Sequence, residues 1–366
     1  MQRQRNVIVI YSPHSGRSAQ LSQALTSLQH VEVNVVQMIP IADLDNLPPQ
    51  GTYWREKGID VAIAAGGDGL VGGVITHIAE SGLPLGILPL GTANDIARSL
   101  HIPLDLAEVA KVIALGKEVE VDIGEAQPAE QAPHIASPRQ EGPVLSHISP
   151  QKHGFFAHAL TVGLNVQFAR LATNVAIRQR YGRLTYPFAA FEVLEKHEPI
   201  EVDLQLEGVA LPPANMFTRQ QHRPVSALEE MQTSFQCRAL QVAVINAPIF
   251  GGQWRFTVPQ ANMSDRLLDI VVIEDIDLEK LTATIAQFFS SQKQHSSPPS
   301  GWGEQHVAHH PAELTGIPGI HHIQAREVTI KTKADPRDAT LDGEVRGQTP
   351  MYARLANERL RVVVPG

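Results

Sequence analysis

Three short stretches of this chain combine residue types and spacings that could do chemistry. The first is Gly66-Gly67-Asp68-Gly69, directly behind the apolar run Val61–Ala65. An apolar strand ending in three glycines around one aspartate leaves main chain almost bare of side chains. Its N–H groups, together with the N-terminus of a following helix, can approach a phosphate closely. Asp68 then carries a meaning of its own. A carboxylate beside a polyphosphate repels it unless a cation stands between them, so Asp68 points to a metal ion. The competing assignment is an aspartate that caps a helix. The spacing is not that of the P-loop, since no Gly-Lys-Ser/Thr follows, nor that of the usual dinucleotide fingerprint. The second stretch is Gly91-Thr92-Ala93-Asn94-Asp95 and the third is Asp342-Gly343-Glu344. By itself, Asp-Gly reads as an ordinary hairpin turn. His306, His309, His310, His321 and His322 look like metal ligands, but they fall among Pro and Gly, where no stable scaffold is expected.

These residues need elements to hold them. Up to about residue 124, strands and helices alternate. Val7–Ile10 reads as a buried strand, Leu21, Leu25 and Leu28 as a helix, and Val31, Val33 and Val35 as a strand. Val61–Ala65 leads into the glycine turn, and Val71, Val74, Ile75 and Ile78 fall at helical spacing behind it. Leu83–Leu90 is a further strand, Leu106–Ile113 a helix, and Val119–Ile123 a strand. This alternation predicts βαβ units and a mainly parallel sheet, with ligands at the carboxyl ends of its strands. From 125 to about 349 strand patterns dominate. Ile200, Val202, Leu204 and Leu206 alternate with Glu201, Asp203 and Gln205, as in a half-exposed antiparallel strand. One helix, with Leu278, Leu281, Ile285 and Phe288, interrupts the pattern. Polar, proline-bearing insertions are expected near 127–151, 212–234 and 291–320. The C-terminal segment, about 350–366, is expected to return to the first domain.

The chain has 366 residues, 43% hydrophobic and 19% charged, which describes a folded protein large enough for two domains. A formal charge of −8 argues against a nucleic-acid partner and against whole-surface attraction to anionic membranes. One cysteine, Cys237, excludes a disulfide framework and fits a reducing compartment. Met1-Gln2-Arg3-Gln4-Arg5 runs straight into four apolar residues, too few for a signal-peptide core, and no stretch approaches the roughly 20 needed to span a bilayer. A soluble, cytoplasmic protein is expected.

With the glycine turn, Pro89-Leu90-Gly91-Thr92-Ala93-Asn94-Asp95 some 20 residues later, and Asp342-Gly343-Glu344, the chain resembles the diacylglycerol kinase catalytic-domain family, in its bacterial soluble form. The glycine turn alone is shared with NAD kinases and phosphofructokinases; the pair of motifs is what marks lipid kinases. The resemblance implies an α/β nucleotide-binding domain and a β-sandwich-like second domain, with ATP, Mg²⁺ and lipid meeting in the cleft between them. It implies a first nucleotide loop at Ser12, Pro13, His14, Ser15 and Gly16, and a phosphate-binding stretch at Gly66, Gly67, Asp68, Gly69, Leu70, Val71 and Gly72, with Asp68 near the metal. Thr92, Asn94 and Asp95 would add nucleotide and cap contacts. Glu344 would be the general base, with Asp342 supporting it or the metal, and Asp122 would lie between the domains. Asn262, Asp265 and Leu267 align with a second magnesium site.

The chain departs from that pattern at three points. Leu70 replaces a threonine, Tyr11-Ser12 stands where asparagine precedes the proline, and Arg266 replaces a glycine. An adjacent cation disfavours metal binding, so Arg266 puts the second site in doubt. Arg170, Arg178, Arg180 and Arg183 could meet lipid phosphates or form a solvated helix face. The expected activity is ATP-dependent phosphorylation of a hydroxyl on diacylglycerol or a related lipid, such as a sphingoid base, drawn transiently from the cytoplasmic membrane face. A homodimer is left open. The alternatives are an NAD kinase-like small-molecule kinase and a catalytically weak nucleotide- or lipid-binding protein.

Overall fold

The computed structural model describes residues 4–13, 18–46, 51–132, 154–164, 166, 198–210, 233–250, 256–258, 260–275 and 319–366. In the first domain these form β1 (Asn6–Tyr11), α1 (Ser18–His30), β2 (Asn34–Pro40), α2 (Gly51–Glu56), β3 (Val61–Gly66), α3 (Asp68–Ile78), β4 (Leu85–Pro89), α4 (Asp95–Ser99), α5 (Leu106–Leu115) and β5 (Lys117–Val121). The second domain contributes β6 (Gly124–Pro128), β7 (Gly154–Phe156), β8 (Ala159–Gly163), β9 (Ile200–Glu207), β10 (Thr233–Ile245), β11 (Ile249–Phe250), β12 (Phe256–Thr257) and β13 (Leu268–Glu274). It continues through β14 (Ile320–Ala325), β15 (Glu327–Thr332), β16 (Asp338–Leu341), β17 (Glu344–Gln348) and β18 (Met351–Leu355), before β19 (Leu360–Val364).

The first sheet runs β2-β1-β3-β4-β19-β5. The pairs from β2 through to β19 are parallel and β5 runs antiparallel to β19. β3 and β4 are buried along their whole length, which explains why they read as unbroken apolar runs. The chain leaves β1 for β2 on one side and returns to β3 on the other. Their carboxyl ends therefore flank the point where the strand order reverses, the place where such sheets leave a ligand crevice. Helix α3 buries Val71, Val74, Ile75 and Ile78, the face that their spacing predicts.

The second sheet has eleven antiparallel strands curled around one core that includes Phe156, Leu160, Val202, Leu204, Val244, Ile270 and Ile330. β9 alternates as the sequence requires, with Ile200, Val202, Leu204 and Leu206 inward. Three insertion boundaries move. Residues 124–128 are a strand and 129–131 a short 3₁₀ turn, while Thr233 and Ile320 already belong to β10 and β14. The helix expected around 278–288 lies outside the described residues, as do Arg170, Arg178, Arg180, Arg183, His306, His309 and His310. His321 and His322 do have a scaffold. They sit buried on β14, facing Glu274 and Asp269 of β13 at 2.8 and 2.6 Å. Period-2 pairing with β13 overrode the reading taken from the surrounding Pro and Gly.

The chain crosses between the domains twice, at residues 121–124 and again between β18 and β19. No helix among the described residues is long and apolar enough to cross a membrane.

Candidate active site between the two domains

Glycine lets the turns after β3 and β4 touch. A Cβ at Gly67 would sit 3.0 Å from the Gly91 Cα, and one at Gly91 would run into Gly67. Main chain therefore meets main chain beneath the site. Helix α3 begins at Gly67 with no side chain capping it, so its first N–H groups keep their positive potential for an anion. Asp68 does act as a cap, though not of its own helix. Its Oδ1 accepts from the Ile96 amide at 2.9 Å and so closes the start of α4. Asn94 occupies the N-cap position of that helix in a left-handed conformation, φ 54°, without capping it. Its Oδ1 accepts from the Gly91 amide at 2.7 Å and its Nδ2 donates to the carbonyls of Pro89 and Gly91, so its role is to shape the turn. Asp95 is buried behind that turn, whereas Thr92 is exposed on it.

Two members of the expected phosphate stretch are corrected. Val71 is 2% exposed and packs in the first core, because its position on α3 faces the sheet. Leu70 also packs against that core and folds back over Gly66, within 2.9 Å of where a Cβ there would lie. It offers the phosphate site a backbone amide and no side-chain donor. Ser12 and Pro13 follow β1, whose last residue, Tyr11, pairs with Ala65 just before the glycine turn; His14, Ser15 and Gly16 lie outside the described residues.

Across the crevice stands the hairpin β16–β17. Leu341 pairs with Glu344, so Asp342 and Gly343 form a two-residue loop at φ 49° and 88°, both left-handed. This is the turn geometry that Asp-Gly favours, so the hairpin reading of this dipeptide describes its backbone correctly. The two carboxylates have different work. Asp342 is buried. Its Oδ2 accepts from the Ala157 amide at 2.9 Å, and its Oδ1 from the amides of His158 and Ala159 at 2.9 and 3.0 Å. Burial pushes its carboxyl above the usual range, while His158 and the three amides pull it back. Asp342 makes these bonds to main chain and none of them to Glu344. It ties the hairpin to the start of β8, because a buried carboxylate must find donors and the nearest are main-chain amides.

Glu344 is about half exposed, and Arg346 grips one of its oxygens. Arg346 Nη2 and Nε donate to Oε2 at 2.6 and 3.1 Å. The other oxygen, Oε1, faces helix α3 and lies 3.5 Å from where a Cβ on Gly69 would be. At Gly72 a Cβ would come within 2.5 Å of Asp342 Oδ2. The absence of side chains on α3 is thus what admits the hairpin. Gly69, Gly72, Gly73 and Thr76 form one wall of this crevice, and Leu341, Asp342, Glu344 and Arg346 the other. Asp68 and Glu344 consequently belong to one seam between the domains. Arg346 was not foreseen, although its spacing of two from Glu344 on a strand places both on one face.

Comparison with known proteins fits both halves. Residues 6–126 match the diacylglycerol kinase catalytic domain, and residues 159–297 match the YegS C-terminal NAD kinase beta sandwich-like domain. The chain belongs to the diacylglycerol kinase family. A diacylglycerol kinase of Staphylococcus saprophyticus is 23% identical over 98% of this chain and 94% of its own length. One from Staphylococcus aureus is 37% identical over 123 residues, 32% of this chain and 38% of that protein. The crystal structure of a diacylglycerol kinase from Bacillus anthracis superposes over 100% of this chain and 98% of its own, with a TM-score of 0.57 and 17% identity, which shows the shared fold.

Magnesium implied by the family can be tested against the residues present. At the glycine turn it fits: Asp68 stands at an uncapped helix N-terminus and its cap on α4 uses only one oxygen. At Asn262, Asp265 and Leu267 it does not fit. The ligands implied there are the Asp265 carboxylate and the carbonyls of Asn262 and Leu267, but Asp265 Oδ1 already accepts from the Leu267 amide at 3.0 Å, and the cationic Arg266 guanidinium lies beside the turn, on Asp122 and the Ala356 carbonyl. Burial, with Asp269 and Asp122 nearby, pushes the Asp265 carboxyl up to about 6. Neighbouring Asp122 is fully buried and already held by Arg266 and Arg359.

Proposed function

We propose that this member of the diacylglycerol kinase family transfers the γ-phosphate of ATP to a hydroxyl of diacylglycerol or a related membrane lipid. One observation carries the reading: Glu344 Oε1 faces the uncapped start of α3, where a triphosphate would rest on the glycine turn. The amides of Gly67, Asp68 and Gly69 would hold phosphate oxygens, with Asp68 as ligand to a magnesium ion. Such an ion would supply charge neutralisation for the triphosphate. Glu344 would accept the proton of the attacking lipid hydroxyl, and Arg346 would hold that carboxylate in orientation. Thr92, exposed beside the glycine turn, and the stretch Ser12–Gly16 that follows β1 in sequence would flank the nucleotide. The lipid would enter from a membrane surface met transiently, with the second domain sheltering its acyl chains.

Labelled ATP supplied with mixed-lipid vesicles, and separately with NAD, tests the reading. Label in a chloroform-soluble product supports it. Label in NADP would replace it with a small-molecule kinase, and no transfer with retained ATP binding would leave a nucleotide-binding protein.

A further inference from the structure

Asp122 has no exposed surface, yet it sits at the first crossing between the domains. A carboxylate buried there requires countercharge and donors. Both come from arginine. Oδ2 accepts from the Arg266 amide at 2.8 Å, and Oδ1 accepts from Arg266 Nη1 at 3.2 Å and Arg359 Nε at 3.0 Å. The same guanidinium groups reach further. Arg266 Nη1 donates to the Ala356 carbonyl at 3.0 Å, on the return crossing, and Arg359 Nη2 donates to the Ser264 carbonyl at 3.1 Å. The Asp122 amide donates to Met263, and Asn246 Nδ2 donates at once to the carbonyls of Asp122 and Ala157. Both crossings and the 262–267 turn are therefore bound into one knot.

The oxygens gathered here are a buried carboxylate and the carbonyls of Ser264 and Ala356, with Asp265 in the same turn. Such hard oxygen donors suit a divalent cation. In this chain N–H donors of the two guanidinium groups occupy the Asp122 carboxylate and both carbonyls instead. Arg266 also sits at φ 62°, a left-handed conformation that glycine adopts freely and arginine does not. Strain retained at that position has to be offset by what the side chain does.

We infer that the Arg266 guanidinium, backed by Arg359, stands in for a divalent cation at this crossing, and that the 262–267 turn of this protein binds none. The inference is independent of which substrate the enzyme phosphorylates. Thermal unfolding of the full chain, without nucleotide or lipid, tests it in EDTA and in millimolar Mg²⁺ or Ca²⁺. The wild-type midpoint should agree within about 1 °C in all three. Arg266→Gly relieves the strained backbone but should still lower the midpoint in EDTA by roughly 5 °C. It should also acquire a saturable rise of roughly 3 °C with cation, abolished by adding Asp265→Asn. Arg266→Ala, with the same gain expected, replaces the glycine variant if that does not fold. A wild-type rise with cation that Asp265→Asn removes would overturn the inference. So would a guanidinium-less variant with no cation response.

Discussion

The two walls of the crevice are built on opposite plans. On the first domain, the wall is main chain: Gly66, Gly67 and Gly69, an uncapped helix start, and Gly72 pressed against Asp342. On the second domain, the wall is side chain, with Asp342 and Glu344 on a hairpin. The main-chain wall needs only the absence of Cβ atoms, so its glycines read directly as a site. In the side-chain wall, two acids two residues apart divide into a structural tie and a candidate base, and burial decides which is which. Asp342 faces inward onto three amides; Glu344 faces the crevice with one arginine on it.

Substitutions can break or sharpen that contrast. Asp342→Ala orphans three buried amides and should cost about 4 kcal/mol, seen as a melting temperature lower by roughly 10 °C. A fall under about 2 °C would remove Asp342 from its structural role. Glu344→Gln should leave the melting curve unmoved and lower turnover by about two orders of magnitude, with ATP affinity nearly intact. Loss of stability without loss of turnover would reverse the two assignments. Gly72→Ala places a Cβ against Asp342 Oδ2 and should cost about 2 kcal/mol, with a parallel loss of activity as the walls separate. Arg346→Ala removes an exposed pair that contributes about 1 kcal/mol or less to stability. Turnover should nevertheless fall by about fivefold at unchanged KM for ATP, as Glu344 loses its orientation.

The smallest effect is a pH dependence away from the crevice. Burial raises the folded-state carboxyl of Asp265 to about 6, so any stability it adds is present below its ordinary range and disappears as pH rises through 6. Asp265→Asn keeps the Leu267 hydrogen bond and should melt about 1 °C higher than wild type at pH 8, the gap closing near pH 4. An equal difference at both pH values would show that charge is not the cause.

The sequence made the parallel strands and α3 legible because burial on both faces, or on one helical face, dictates residue type at every turn. Val61–Gly66 and Val71–Ile78 are the clearest instances. That Asp68 caps α4 is not legible, since the turn after β4 comes alongside only in the folded sheet. The same applies to Asn246 and Arg359, whose partners lie 124 and 237 residues away. Pattern within a strand or helix reports its own burial, but carries nothing about which distant turn a polar side chain will meet. The strand that carries His321 and His322 is hidden for a related reason. A six-residue strand bordered by polar chain leaves too short a period-2 signature to stand out.

β19 lies between β4 and β5, so the sheet that carries the glycine turn is finished by residues 360–364, after the whole second domain. During synthesis Leu85 therefore meets Val362, its partner on β19, only after the strands of the second domain have emerged. A chain cut short of residue 360 should therefore weaken the first sheet, where β4 and β5 each lose a partner, and leave the pairings of the second sheet in place.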